Sequence, residues 1–189
     1  MSAYELPTSL NIRGVDYSIR TDFRAILDVL IALNDKDLDE NDKTIVLLQI
    51  MFIDWQSIPR EHLQEAANKA VEFIDCNCKD DGKPSPKLID WEQDAALIIP
   101  AVNKVAHKEV RAVEYLHWWT FFSYYMEIGE SLFSNVVGIR QKKAKGKKLE
   151  KWEMDFYKEN KSIIDFKKEE KRSSEEKEML RNYFGYKKK

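Results

Sequence analysis

The chain has 189 residues, of which 43% are hydrophobic and 34% are charged, and its net charge is −2 at pH 7. This length fits one domain with a real hydrophobic core, and the composition is that of a soluble globular protein. No apolar run approaches the ~18 residues of a membrane span, and the start of the chain lacks the pattern of a signal peptide. We therefore expect a cytoplasmic protein.

The opening stretch carries the only strong β signal. Residues 9–12 and 15–19 alternate in polarity around Arg13-Gly14, which predicts a hairpin with Gly14 in its turn. A lone hairpin is marginal in water, so it must pack on other elements. With only 6 glycines and 5 prolines in the chain, we predict a mainly α protein, a helical bundle with this short N-terminal β-hairpin.

The next elements are predicted to be helices separated by a capping loop. Thr21-Asp22 offers an N-cap for a first helix. The acidic stretch 34–42 fails as a calcium loop. A loop that starts at Asp35 needs Gly at position 40 and Glu at position 46, where the chain has Glu40 and Val46. The acidic stretch is therefore predicted to cap a second helix over residues 43–52.

A polar linker is predicted at residues 79–88, which contain one glycine and two prolines. It separates the hairpin and first helices (1–78) from a second helical region (89–166). A charged, partly disordered tail (167–189) follows. We expect one folded unit overall, with a kink at Pro100 in a helix that begins at Ile89.

An apolar stripe from Leu63 to Ile74 predicts a third helix that runs through Asp75. Cys76 and Cys78 lie at its end. Their one-residue spacing is too short for an ordinary disulfide and fits a reducing compartment. Structural zinc needs four ligands, and the chain has no second cysteine pair. We predict no metal site there.

Residues 115–126 form the densest aromatic run, Tyr-Leu-His-Trp-Trp-Thr-Phe-Phe-Ser-Tyr-Tyr-Met. Aromatic positions recur at three- and four-residue steps, which predicts a central helix within residues 110–128. Each ring buries roughly 150–250 Å², so we assign Trp118, Trp119 and Phe122 to the core. A shorter helix at 132–140 and a last core-facing helix that includes Trp152 are predicted to follow.

Candidate catalytic patterns fail on inspection. Glu114-x-x-His117 matches half of a di-iron motif, but no second copy exists. The carboxylates of Asp90, Glu92 and Asp94 are predicted to cap a helix start. No nucleotide-binding or nucleophile motif occurs. We predict no catalytic residues, no cofactor and no enzymatic activity.

Charge is distributed unevenly along the chain. Residues 140–189 carry a net charge of +8, and residues 1–139 carry −10. Such asymmetry favours self-association or an acidic partner, although solvated helix faces without a partner explain it equally well.

The basic stretch 140–151 is the candidate partner-binding segment, with these contact residues: Arg140, Lys142, Lys143, Lys147 and Lys148. Lysine-rich runs also bind nucleic acid by charge. Against that alternative, the sequence pI of about 6.0 is low for a nucleic-acid-binding protein.

Three stretches resemble a known family: Ile-Asp-Trp-Glu-Gln-Asp at 89–94, Tyr-Leu-His-Trp-Trp-Thr-Phe at 115–121 and Val-Gly-Ile-Arg at 137–140. The family comprises small tail-module proteins of phages and prophages of Gram-positive bacteria, encoded beside the tape-measure gene. The resemblance runs from the hairpin to about residue 160 and includes Lys142 and Lys147-Lys148-Leu149.

The resemblance implies a tail-assembly chaperone in the host bacterial cytoplasm. Such a protein binds the tape-measure protein, keeps it soluble and leaves before the tail is complete. The family brings no catalytic residues. A helical domain with spare apolar surface suits the long helical tape-measure protein, and head-to-tail contacts between copies would give rings or filaments. Two alternatives stay open: a nucleic-acid-binding accessory protein and a structural tail component retained in the virion.

Overall fold

The computed structural model describes residues 4–77, 85–167, 175–176 and 179. In this part of the chain eight α-helices follow one two-stranded antiparallel hairpin. The prediction of a mainly α protein with a short N-terminal hairpin is therefore confirmed. The elements are β1 (Ser9–Ile12), β2 (Val15–Ser18), α1 (Phe23–Asn34), α2 (Glu40–Met51), α3 (Leu63–Ile74), α4 (Ala95–Ala106), α5 (Trp118–Met126), α6 (Leu132–Ala144), α7 (Lys151–Glu159) and α8 (Lys161–Ile164).

The hairpin forms as the alternation predicts. β1 pairs with β2 from Ser9 opposite Ser18 to Ile12 opposite Val15. The two turn residues, Arg13 and Gly14, both have positive φ, at 52° and 85°, as a two-residue type I′ turn requires. β1 packs against α3 and buries its apolar face there, which supplies the support that an isolated hairpin lacks.

The first two helices begin at acidic caps. The Asp22 carboxylate accepts the N–H of Arg24 at the start of α1. The Asp39 carboxylate accepts the N–H of Asp42, so the acidic loop does cap the next helix, and α2 begins at Glu40 rather than at 43. At the far end of α2, the Arg20 guanidinium donates to three main-chain carbonyls, those of Gln49, Ile50 and Phe52.

The fourth helix begins later than predicted. The Asp90 carboxylate accepts the N–H groups of Glu92 and Gln93, which holds residues 91–94 in turns. α4 therefore starts at Ala95 rather than Ile89. Pro100 lies inside α4, and the helix continues through it to Ala106.

The aromatic helix is shorter than the predicted span 110–128. A 3₁₀ turn at Val110–Ala112 is followed by extended chain, and α5 starts only at Trp118. The cause is tertiary: His117 forms a β-bridge with Asp22, and the Leu116 N–H donates to the Asp22 carboxylate. Tyr115 is consequently outside the helix and 54% exposed.

The main core joins side chains from Leu10 to Phe133, including those of both predicted helical regions. Trp118 and Phe121 of α5 are fully buried, and the Phe121 ring stacks on Phe23 with centroids 4.6 Å apart. Trp118 is thus in the core as predicted, whereas Trp119 and Phe122 are partly buried at its edge. A second, smaller core lies among α6, α7 and α8, around Val136, Ile139 and Ile164.

The last helices differ from the prediction in two ways. α6 extends to Ala144 rather than ending at 140. Trp152 is 56% exposed and not core-facing. The residues of α7 that pack on the second core are Phe156 and Tyr157, further along the helix.

Two predictions fall mainly outside the described residues. Of the linker, residues 85–88 are described and have no regular secondary structure. Cys78 and residues 79–84 lie outside the described part, as does nearly all of the tail 167–189.

Candidate interaction surface

Arg140 is buried on α6, with a relative exposure of 5%. Its guanidinium has five N–H donors, and all five are used. The acceptors are the Ile164 carbonyl (2.6 Å), the Leu88 carbonyl (3.0 Å), both Asp94 carboxylate oxygens (2.6 and 2.9 Å) and the Ile163 carbonyl (2.9 Å). Arg140 therefore has no donor left for a partner and serves the fold, in contrast to the predicted contact role.

Asp94 completes this buried ion pair. It is 1% exposed, and besides its two bonds to Arg140 it accepts the N–H of Asp90 at 2.9 Å. Burial, together with the negative charge of Asp94, raises the pKa of the nearby Tyr125 hydroxyl to about 12. Asp94 was predicted only to cap a helix; its position at the start of α4 instead ties α4 to α6 and α8.

Residues 165–167, which follow α8, cover the Arg140–Asp94 ion pair. The Phe166 ring covers the Arg140 guanidinium at 4.1 Å. The Gln93 amide donates to the Asp165 carbonyl at 3.0 Å and accepts the Lys167 N–H at 2.9 Å. The Gln93 side chain thus forms hydrogen bonds with the main chain on both sides of Phe166, which holds Phe166 over the ion pair.

Two of the predicted contact lysines have internal partners. Lys142 lies 2.7 Å from the Glu153 carboxylate, and its hydrogen bond lowers the pKa of Glu153. Lys143 pairs with Asp165 and lies 3.9 Å above the Tyr157 ring. Burial alone would raise the pKa of Asp165, but the hydrogen bonds from Lys143 and Tyr157 lower it. Lys142 therefore joins α6 to α7, and Lys143 joins α6 to the residue that follows α8.

Lys147 and Lys148 lie in a different environment. They are exposed, as are Lys145 and Lys151, and within residues 85–167 none of the four makes a salt bridge. The loop that carries them is well defined. Gly146 has a φ of 63°, the Lys147 N–H donates to the Lys142 carbonyl at 2.8 Å, and the Gly146 N–H donates to the Lys143 carbonyl at 3.1 Å. This is a Schellman C-cap.

His117 has a structural role. Its Nδ1 accepts the N–H of Trp119 at 3.1 Å, so the proton is on Nε2, which donates to the Pro7 carbonyl at 3.0 Å. Both ring nitrogens are used. Over the described part of the chain, no group of three or more His, Cys, Asp or Glu residues is placed to hold a metal ion.

The two tryptophans that follow cap another helix. The Trp118 indole N–H donates to the Ile74 carbonyl at 2.7 Å, and that of Trp119 to the Phe73 carbonyl at 2.9 Å. These carbonyls are at the end of α3, where Cys76 takes a left-handed φ of 52°. The Leu-His-Trp-Trp motif therefore joins α5 to the end of α3 and to the start of the chain.

The Arg140–Asp94 pair was not predicted from the sequence. The available signal was that both residues end stretches that carry the family resemblance, and that Arg140 closes an otherwise apolar run.

Among the described residues, no helix is both long enough and apolar enough to cross a membrane.

Comparison with known proteins agrees with the phage resemblance. The family model described as "Bacteriophage Gp15 protein" matches residues 3–166, which is most of the chain. The chain is thus a bacteriophage protein with a structural or assembly role. It belongs to the Gp15 protein family. No curated protein and no solved structure matches the chain significantly.

Proposed function

We propose that this protein is a tail-assembly chaperone that binds the tape-measure protein in the host cytoplasm and associates with copies of itself. Membership of the Gp15 family supports the phage assembly role, and the resemblance to proteins encoded beside the tape-measure gene supports the choice of partner. We assign it no catalytic role.

The observation that carries the proposal is the exposed basic end of the molecule. We define this basic end by five exposed residues in the loop after α6 and the first turn of α7: Lys145, Lys147, Lys148, Lys151 and Trp152. The fold does not use these lysines in ion pairs with other described residues, so their charge is available to a partner.

The chemistry of the basic end fits a contact that must form quickly and be released. Exposed charges speed association and respond to salt. Trp152 supplies an apolar anchor of the type enriched in binding hot spots. A helical segment with an acidic and an apolar side matches both features.

Co-expression with the tape-measure protein tests this proposal. The protein is tagged, captured and analysed by size-exclusion chromatography with light scattering. We expect a soluble complex of defined stoichiometry, and Lys147→Glu with Lys148→Glu should abolish capture. The control is Arg60→Glu, a reversal of another exposed charge outside the basic end, which should leave capture unchanged. Capture that survives the double reversal contradicts a role for the basic end.

Two other outcomes are distinguishable. If nucleic acid co-purifies in place of the tape-measure protein and is released by salt, the protein is a nucleic-acid-binding accessory factor. If mass spectrometry finds the chain in purified virions, it is a structural tail component, since the chaperone should be absent from finished particles.

A further inference from the structure

A second exposed apolar surface lies at the opposite end of α6 from the basic end. We define this acidic end as Met126, Glu127, Glu130 and Leu132, in the turn from α5 into α6. Met126 is 65% exposed and Leu132 is 48% exposed, and both glutamates are exposed. Exposed large apolar side chains with polar or charged residues around them are typical of interaction surfaces.

The two ends are separated by the length of α6. This helix has 13 residues, which corresponds to roughly 20 Å at 1.5 Å per residue. The acidic apolar surface therefore flanks the start of α6, and the basic apolar surface follows its end.

Both surfaces are held in place by the local structure. At the acidic end, Ser131 and Ser134 form a reciprocal capping box. The Lys104 ammonium donates to the Glu130 carbonyl at 3.4 Å and places one positive charge beside the two glutamates. At the basic end, the Schellman cap fixes the turn, and the pairing of Lys142 with Glu153 ties α6 to α7.

We propose that the acidic end of one copy docks on the basic end of a second copy. The charges of the two ends are complementary, and Trp152 would pack against Met126 and Leu132, where the flexible methionine adapts to the ring. A symmetric contact of the basic end with itself is disfavoured, because lysines would face lysines. The contact is therefore head-to-tail and builds rings or filaments.

This inference rests on the self-association within the proposed function, and it adds a relation between the two contacts. A second copy covers the same lysines that we assign to the tape-measure protein. The two partners therefore compete, and self-association keeps the basic end covered until the tape-measure protein displaces the neighbouring copy.

Charge reversal with rescue tests the docking. At low salt, light scattering should show assemblies of the wild-type protein. Lys147→Glu with Lys148→Glu, and separately Glu127→Lys with Glu130→Lys, should each give the single-chain mass of 22.3 kDa. An equimolar mixture of the two variants should assemble again, because each reversed surface then meets an oppositely charged one. Arg60→Glu should assemble like the wild type.

Persistent assembly of either reversed variant, failure of the mixture to assemble, or a monomeric wild type would overturn the head-to-tail contact. Capture of the tape-measure protein by the Glu127→Lys, Glu130→Lys variant separates this inference from the proposed function. Tighter capture by that variant supports competition, and unchanged capture by a monomeric form of it contradicts competition. Capture by a monomeric wild type leaves the binding of the tape-measure protein standing and removes both self-association and the docking. Assembly without capture leaves the docking standing without the chaperone.

Discussion

Arg140 and Lys148 belong to the same run of positive charge, yet their environments are opposite. Arg140 is 5% exposed and gives all five donors to carbonyls and to Asp94. Lys148 is exposed and makes no salt bridge within the described ranges. The difference comes from what faces each residue: a buried carboxylate and the end of a helix for Arg140, and solvent for Lys148. A run of charge is therefore not one functional unit.

The largest effect is expected from removing the buried positive charge of Arg140. Arg140→Ala leaves Asp94 buried and unpaired, and we expect it to lower the free energy of unfolding by roughly 3–5 kcal/mol. Urea denaturation measures the loss. The matched control replaces both partners, with Arg140→Met and Asp94→Leu in one chain, and should lose less than Arg140→Ala alone. A loss below about 1 kcal/mol for Arg140→Ala would mean that the ion pair is not buried in solution.

The same contrast extends to the aromatic residues. Trp118 is 1% exposed and Trp152 is 56% exposed. Trp118→Ala should cost roughly 3–5 kcal/mol of stability, since it opens a core cavity and frees the Ile74 carbonyl. Trp152→Ala should stay within about 1 kcal/mol, with its effect confined to association. Equal losses in thermal or urea unfolding would remove the distinction between the two tryptophans.

Two glycines test how the exposed loop is positioned. Gly146 has a φ of 63°, whereas Gly138 lies within α6. At both positions an added Cβ would have no atom within 4 Å other than those of its chain neighbours and its own helix backbone. Gly146→Ala should therefore cost about 1–2 kcal/mol, because of backbone strain alone. Gly138→Ala should stabilise the protein by about 0.5–1 kcal/mol, because alanine favours the helix. Effects of the same sign on the free energy of unfolding contradict the assigned cap.

A smaller effect, which depends on pH, is expected for the contribution of the Lys142–Glu153 ion pair to stability. Lys142 lowers the pKa of Glu153 in the folded state. The ionised Glu153 carboxylate therefore contributes to stability at a pH above the ordinary pKa of glutamate. This contribution is lost as the pH falls through the lowered pKa of Glu153 in the folded state. Glu153→Gln should be less stable than the wild type at pH 7, and the difference should shrink toward pH 3. A difference independent of pH contradicts the ionic role of Glu153.

Local signals predicted the first third of the fold well. Arg13-Gly14 determines the hairpin turn, and Asp22 and Asp39 cap helices within three residues of their own positions. In each case the deciding residues are neighbours in the chain, so the pattern alone is informative.

Predictions failed where distant residues decide the structure. The start of α5 depends on the pairing of Asp22 with Leu116 and His117, which are 94 residues or more away. The role of Arg140 depends on Asp94, 46 residues earlier. A charge count along residues 140–151 does not contain that information, so Arg140 was grouped with the exposed lysines.

The most direct test of the divided basic segment is one variant measured in two ways. Lys147→Ala with Lys148→Ala should leave the free energy of unfolding within about 0.5 kcal/mol of the wild type, as for exposed sites without partners. In the same preparation, capture of the co-expressed tape-measure protein should be lost or strongly reduced. A large drop in stability, or full capture at unchanged stability, would contradict the account.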